Sequence, residues 1–128
     1  MPFDPATEKP EIDVPGDAPP TRLVVEDVSL GDGPSVKAGD TVTTHYVGVA
    51  HSTGEEFDAS WNRGAPLSFR VGVGQVIQGW DEGLIGMRVG GRRKLTIPPH
   101  LAYGERGAGS AVAPGETLIF VVDLVDVS

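Results

Sequence analysis

The residues best able to do covalent or acid–base chemistry are few and scattered. The three histidines, His45, His51 and His100, share no ligand spacing, and no His-Glu-x-x-His run occurs. They read as surface histidines, and no metal site is expected. There is no cysteine, which removes thiol nucleophiles, disulfides and thiolate metal ligands. No Gly-x-Ser-x-Gly elbow presents a serine, no Walker loop is present, and Gly72-Val73-Gly74 lacks the third glycine of a dinucleotide fingerprint. Glu55, Glu56 and Asp58 crowd one short segment, but neighbours along a strand point to alternate faces and make no convincing acid–base pair. An enzyme with neither nucleophile nor cofactor would need its chemistry done by the environment it offers. Rotation about an X–Pro bond is such a reaction. Its barrier of about 18–20 kcal/mol comes from amide resonance, and the twisted amide is less polar at its carbonyl than the planar one. A dry aromatic cup with a few hydrogen-bond donors therefore favours the transition state.

The aromatic residues sit on segments with strand or helix patterns. Residues 22–28 are β-branched and apolar, and Gly31-Asp32-Gly33-Pro34 turns the chain. From Thr41 to Ala50 the chain alternates, with Val42, Thr44 and Tyr46 on one face and Thr43, His45 and Val47 on the other. Residues 55–60, which carry Phe57, and residues 66–71 read as short strands. Ile77, Trp80, Leu84 and Met87 recur at helical spacing, opposite Gln78, Asp81 and Glu82, and this helix is expected to end in the Gly86–Gly91 region. Residues 92–97 form a strand stopped by Pro98-Pro99. A loop rich in Gly, Ala and Pro runs from His100 to Glu116. Thr117 to Val127 closes the chain, with Leu118, Phe120, Val122 and Leu124 on one face. Antiparallel strands with one amphipathic helix across them make an α+β fold.

Composition bounds the rest. The 128 residues suit one modest core, and no apolar run reaches the roughly 18 residues of a spanning helix. A net charge of −8 opposes binding to nucleic acid, which needs a basic face. The first residues have no basic start and no apolar stretch of a secretory signal, so a soluble, cytoplasmic protein is expected. Residues 1–20 hold six of the 11 prolines and five acids against a single base, Lys9. This composition predicts a flexible, acidic, Pro-rich tail before a domain spanning 21–128, with a partner-binding arm as the alternative.

Several segments in order resemble the FKBP family of prolyl isomerases, which bind tacrolimus and rapamycin. They are Val42-Thr43-Thr44-His45-Tyr46-Val47-Gly48, Gly54-Glu55-Glu56-Phe57-Asp58-Ala59-Ser60 and Val76-Ile77-Gln78-Gly79-Trp80-Asp81-Glu82-Gly83-Leu84. The stretch from Met87 to Pro98, Leu101-Ala102-Tyr103-Gly104 and Thr117-Leu118-Ile119-Phe120 continue the match. The resemblance covers about Leu23 to Val127. It implies a curved antiparallel sheet wrapped around one short helix, with the pocket between them. Carried over by position, Trp80 is the floor, Tyr46, Phe57 and Phe120 are walls, and Val76 and Ile77 line the edge, with the Ile77 N–H as a donor. Tyr103 offers its hydroxyl from the long loop, Asp58 sits at the rim with Arg63 and the Tyr46 hydroxyl, and Ala111 and Val112 overhang the pocket. Without the resemblance Phe57, Trp80 and Phe120 would simply be core. Leu67 stands where many members carry an aromatic, and Ala108, Gly109 and Ala111 make the overhanging loop smaller and more flexible. Affinity is therefore expected to fall modestly, an aromatic contact adding about 0.5–1.5 kcal/mol beyond its area. The implied partners are proline-containing peptides, unfolded proteins and the two drugs, with no cofactor, and the chain is expected to be a monomer. Two alternatives stay open at this point: a module of the same fold that holds proline-containing partners with little turnover, and an adaptor driven by the tail.

Overall fold

A computed structural model describes residues 9, 10, 12, 14, 18–109 and 111–128. Six strands form one antiparallel sheet: β1 (Val24–Ser29), β2 (Thr41–Ala50), β3 (Glu56–Ala59), β4 (Leu67–Arg70), β5 (Arg92–Ile97) and β6 (Leu118–Val127). The strand order is β1-β5-β6-β2-β3, with β4 also paired to β2. Thus β4 takes the first half of β2 (Thr41–Thr44) and β3 the second (Val47–Val49) along the same side. Every strand expected from the sequence is present, two with the expected bounds and the others with ends shifted by one or two residues.

The inner face carries the core. Val42 and Tyr46 of β2, Leu95 and Ile97 of β5, and Leu118, Phe120, Val122 and Leu124 of β6 join one buried cluster with Trp80, Leu84 and Met87. The helix across this face, α2 (Gln78–Gly83), is shorter than the Ile77–Met87 spacing suggests. Gly86 adopts a φ of +83°, and Met87 completes the apolar stripe from the following loop. The helix lies very close to β5. A Cβ on Gly79 would stand 2.5 Å from Ile97, and one on Gly83 would stand 2.8 Å from Leu95. Both glycines thus let the backbone approach where any side chain would hold it off.

Polar groups fix the ends of α2. Asp81 accepts from the backbone N–H groups of Gly72 and Gly74 at 2.8 and 3.0 Å, closing the β4–α2 loop. Arg93, buried on the inner side, donates to the carbonyls of Gly83 and Ile85 at 2.9 and 3.0 Å and pairs with Asp27 at 2.7 Å. It satisfies carbonyls that the end of a helix leaves open. A second helical turn, α1 (Ser60–Arg63), follows β3 directly where the sequence suggested only the end of a strand. Its cause is Ser60, whose fully buried hydroxyl accepts from the Tyr46 N–H at 2.7 Å and bonds His45 Nδ1 at 2.9 Å.

The histidines differ from expectation. His51 is buried, and His45 is half-buried with its ring stacked on Trp61 at 4.2 Å. Only His100 stands in solvent as expected. Residues 9, 10, 12 and 14, placed by composition in a mobile tail, are seated on the sheet. Pro10 is buried, and Ile12 and Val14 pack on the outer face against Val47, Val49, Ala59 and Ile119. That face is apolar and needs a cover. The rest of the segment 1–17 lies outside the described residues.

Candidate active site

Between the concave face and α2 opens a cleft of about 420 Å³, apolar in lining. Trp80, held on α2 by the close helix–sheet contact, forms its base and is almost fully buried. Three rings surround the indole: Tyr46 at 5.1 Å and 82°, Phe120 at 5.2 Å and 87°, and Phe69 at 5.4 Å and 47°. Phe57 meets Phe120 edge-on at 5.5 Å and 85°. Edge-to-face packing suits the ring quadrupoles, and it leaves a concavity over the indole that parallel stacking would close.

Two features of β2 and β3 produce this geometry. Gly48 lies beneath the Phe57–Phe120 contact, and a Cβ there would stand 2.6 Å from Phe120 and 2.7 Å from Phe57. On β3 the register shifts, Gly48 opposing Asp58 and Val49 opposing Glu56, so Phe57 is the extra residue of a bulge. A bulge re-aims side chains. Here it lets Phe57 and Asp58, consecutive in the chain, both line the cleft. Simple alternation would have sent one of them to the opposite face.

The rim is polar. The Tyr46 hydroxyl donates to Asp58 Oδ2 at 2.6 Å. Arg63, from α1, donates to Asp58 Oδ1 and to the Tyr46 hydroxyl, each at 2.9 Å, and its guanidinium lies 5.6 Å from the Tyr46 ring centre. Burial, then the bond to Asp58, pushes the Tyr46 phenol up from its ordinary value. Burial, then the Asp58 charge, does the same to Tyr103. Both phenols stay protonated near neutrality and remain donors. The Tyr103 hydroxyl and the Ile77 N–H, at the start of α2, have no hydrogen-bond partner among the described residues. The buried Trp80 Nε1 is also unpaired among them.

Of the twelve residues singled out, nine line the cleft: Tyr46, Phe57, Asp58, Leu67, Val76, Ile77, Trp80, Tyr103 and Phe120. Three do not. Arg63 stands behind the rim, bonded to Asp58 and Tyr46. Val112 is buried in the main core, and Ala111 lines a neighbouring cavity of about 390 Å³ that also borders Phe57. Two residues of the overhanging loop bond to each other. Ala108 and Val112 form a bridge, with the Ala108 N–H donating to the Val112 carbonyl at 2.8 Å. Gln75 lines the cleft and was not anticipated, and its side chain accepts from the Arg70 N–H at 2.8 Å. Gly48 carries no signal of its role in the sequence, because a strand glycine indicates a close approach without naming what approaches.

Residues 33–125 match the family model described as FKBP-type peptidyl-prolyl cis-trans isomerase. The chain belongs to this family. It is 68% identical over 121 residues to an FK506-binding protein of Streptomyces anulatus, covering 94% of this chain and 98% of the relative. Over 106 residues it is 49% identical to peptidyl-prolyl cis-trans isomerase FPR2 of Saccharomyces cerevisiae, covering 83% and 76% of the two chains. The crystal structure of AtFKBP13 superposes with a TM-score of 0.77 at 42% identity, over 83% of this chain and 93% of that one. The protein is thus an FKBP-type peptidyl-prolyl cis-trans isomerase, and the curved sheet around a short helix is the fold of its family.

Proposed function

We propose that X–Pro peptides bind in the 420 Å³ cleft with the proline ring on the Trp80 indole. Tyr46, Phe57 and Phe120 wall the ring, and Leu67, Val76 and Ile77 line its edge. The Ile77 N–H and the Tyr103 hydroxyl take carbonyls of the substrate backbone. Asp58, held by Tyr46 and Arg63, faces the rotating amide at the rim. The observation that carries this reading is the edge-to-face ring cluster, which makes a dry cup with unpaired donors beside it.

Catalysis follows from the environment. As the C–N bond twists, resonance is lost, charge separation at the carbonyl falls, and the proline nitrogen becomes pyramidal. The planar amide loses more by leaving water for the cup than the twisted one does, so the barrier drops. No covalent intermediate or proton transfer is required. Uncatalysed isomerisation takes about tens to hundreds of seconds, slow enough to limit folding. Unfolded chains waiting on a proline are the natural substrate class.

The FK506-binding names of its relatives support tacrolimus as a ligand of the same cleft, and rapamycin with it. We place the protein in the cytoplasm as a monomer, which fits its lack of cysteine and its acidic charge. Cell fractionation and light scattering test those two points. The central test is a protease-coupled assay with a short X–Pro peptide, with and without FK506. Catalysis abolished by the drug is the expected result. Drug binding without catalysis would turn the reading to a holding module.

A further inference from the structure

The outer face of the sheet supplies an observation that the isomerase chemistry does not use. An antiparallel sheet with one face on the core usually presents polar residues outward. Here Val47, Val49 and Ile119 point outward and are almost fully buried. Their cover is Trp61 together with Ile12 and Val14, preceded by the buried Pro10. Lys9, at the start of this stretch, donates to Glu56 Oε1 and Asn62 Oδ1, each at 2.9 Å. Asn62 in turn donates to Glu56 Oε2 at 2.8 Å, closing a triangle between β3, α1 and the N-terminal segment. Five residues after Lys9, Val14 stands 3.5 Å from where a Cβ of Gly54 would lie, in the β2–β3 turn. The segment therefore contacts β3 at its own first residue and in the helical turn after it, and runs beside the turn before it.

Of all the strands, β3 has most need of such a hold. It is four residues long, ends the strand order and contains the bulge at Phe57. It also carries two cleft residues, and Glu56 and Asn62 immediately precede Phe57 and Arg63 in the chain. We infer that the segment carrying Lys9, Pro10, Ile12 and Val14 is an intramolecular strap that sets the position of the bulged edge strand, with Lys9 as a positioning residue for Phe57 and Asp58. The strap acts through the scaffold and touches no substrate. The depressed carboxyl of Glu56, held below its ordinary value first by the bond from Lys9 and then by that from Asn62, agrees with a formed contact.

This inference rests on the cleft as the proline site, so its test has one readout independent of turnover. Lys9→Met keeps the aliphatic stem and removes the charge, Lys9→Arg restores a donor, and Ile12→Ser with Val14→Ser loosens the apolar half. Amide chemical shifts of the full chain are compared at Phe57 and Asp58, near the strap, and at Leu95 and Ile97, across the sheet. Isomerisation of an X–Pro peptide is measured alongside. Lys9→Met and the double variant should move the Phe57 and Asp58 amides and leave Leu95 and Ile97 in place. They should lower kcat/KM by about threefold to fivefold, the scale of one exposed ion pair, and Lys9→Arg should restore it. Wild-type shifts at Phe57 and Asp58 in both variants would overturn the strap. Shifts spread equally to Leu95 and Ile97 would overturn it too, reducing the contact to general stability. An inactive wild-type chain would count against the isomerase site alone, since the shifts still decide the strap.

Discussion

The two faces of the central strands β2 and β6 are built from the same sheet and solve different problems. On the inner face, aromatic rings meet edge to face at 5.1–5.5 Å and enclose a space. On the outer face, His45 and Trp61 stack 20° from parallel at 4.2 Å, and Trp61 lies against aliphatic neighbours. Each face also has a three-membered polar group near β3, Tyr46–Asp58–Arg63 at the cleft and Lys9–Glu56–Asn62 beneath the strap. The difference teaches that a binding site depends on how rings are packed as much as on how many there are. Perpendicular rings hold a cup open, and parallel ones seal a surface.

The sharpest way to break that comparison is to remove one tryptophan from each face. Trp80→Ala should cost about 3–5 kcal/mol in denaturant unfolding and abolish isomerisation, because the indole is both core and floor. Trp61→Ala, from a half-buried site, should cost clearly less. The reverse order would dissolve the distinction between the faces. Next in size is Gly48→Ala. Its methyl meets two rings at 2.6 and 2.7 Å, so overpacking of about 1–3 kcal/mol is expected. The Phe57–Phe120 pair must also part, and kcat/KM should fall further than the loss of stability explains. Asp58→Ala separates site from scaffold. Asp58 and its ion-pair partner Arg63 are each roughly half exposed, and Arg63 still bonds the Tyr46 hydroxyl when Asp58 is removed, so unfolding should change by about 1 kcal/mol or less. Isomerisation should fall severalfold as Tyr46 and Arg63 lose their common acceptor. Equal losses of stability and activity would make the rim structural. Tyr103→Phe is gentler again. Its hydroxyl has no partner among the described residues, so stability should stay within about 0.5 kcal/mol while peptide binding weakens.

The sequence made the frame of this arrangement legible and left the fine placement hidden. Alternation put Val42, Thr44 and Tyr46 on one face of β2 and Leu118, Phe120 and Val122 on one face of β6, where they are found. Period and pairing alone decide such positions. The helix was visible from Trp80 and Leu84, but its end was overrun, since Met87 continues the stripe after the helical backbone has stopped. The bulge at Phe57 could not be read, because it exists only in the register between two strands. The resemblance implied Arg63 paired with Asp58 and the Tyr46 hydroxyl, as it is found, whereas Val112 joins the main core and Ala111 the neighbouring cavity, places set by how the loop folds back on itself. The N-terminal segment shows the limit of composition. Its prolines and acids suggest a solvated tail, yet Ile12 and Val14 find an apolar face on the far side of the chain.

The smallest expected effect tests the polar half of that far contact. Glu56 has a carboxyl below its ordinary value of 4.5, drawn down by Lys9 first and by Asn62 next, while burial and the charge of Asp58 oppose the shift. A depressed folded value means that the unfolded chain binds the proton first as the solution is acidified. The contribution to stability is therefore complete above 4.5 and is lost as pH falls through the lower folded value. Lys9→Met removes the main cause of the shift, so its unfolding free energy should fall less steeply with acid than that of the wild type. The two curves should converge below that interval, and added salt should bring them together sooner, because the pair is partly exposed. Denaturant unfolding from pH 3 to 6 measures this directly. Parallel curves would mean that Lys9 and Glu56 are neighbours without being coupled, and the outer face would then be held by its aliphatic contacts alone.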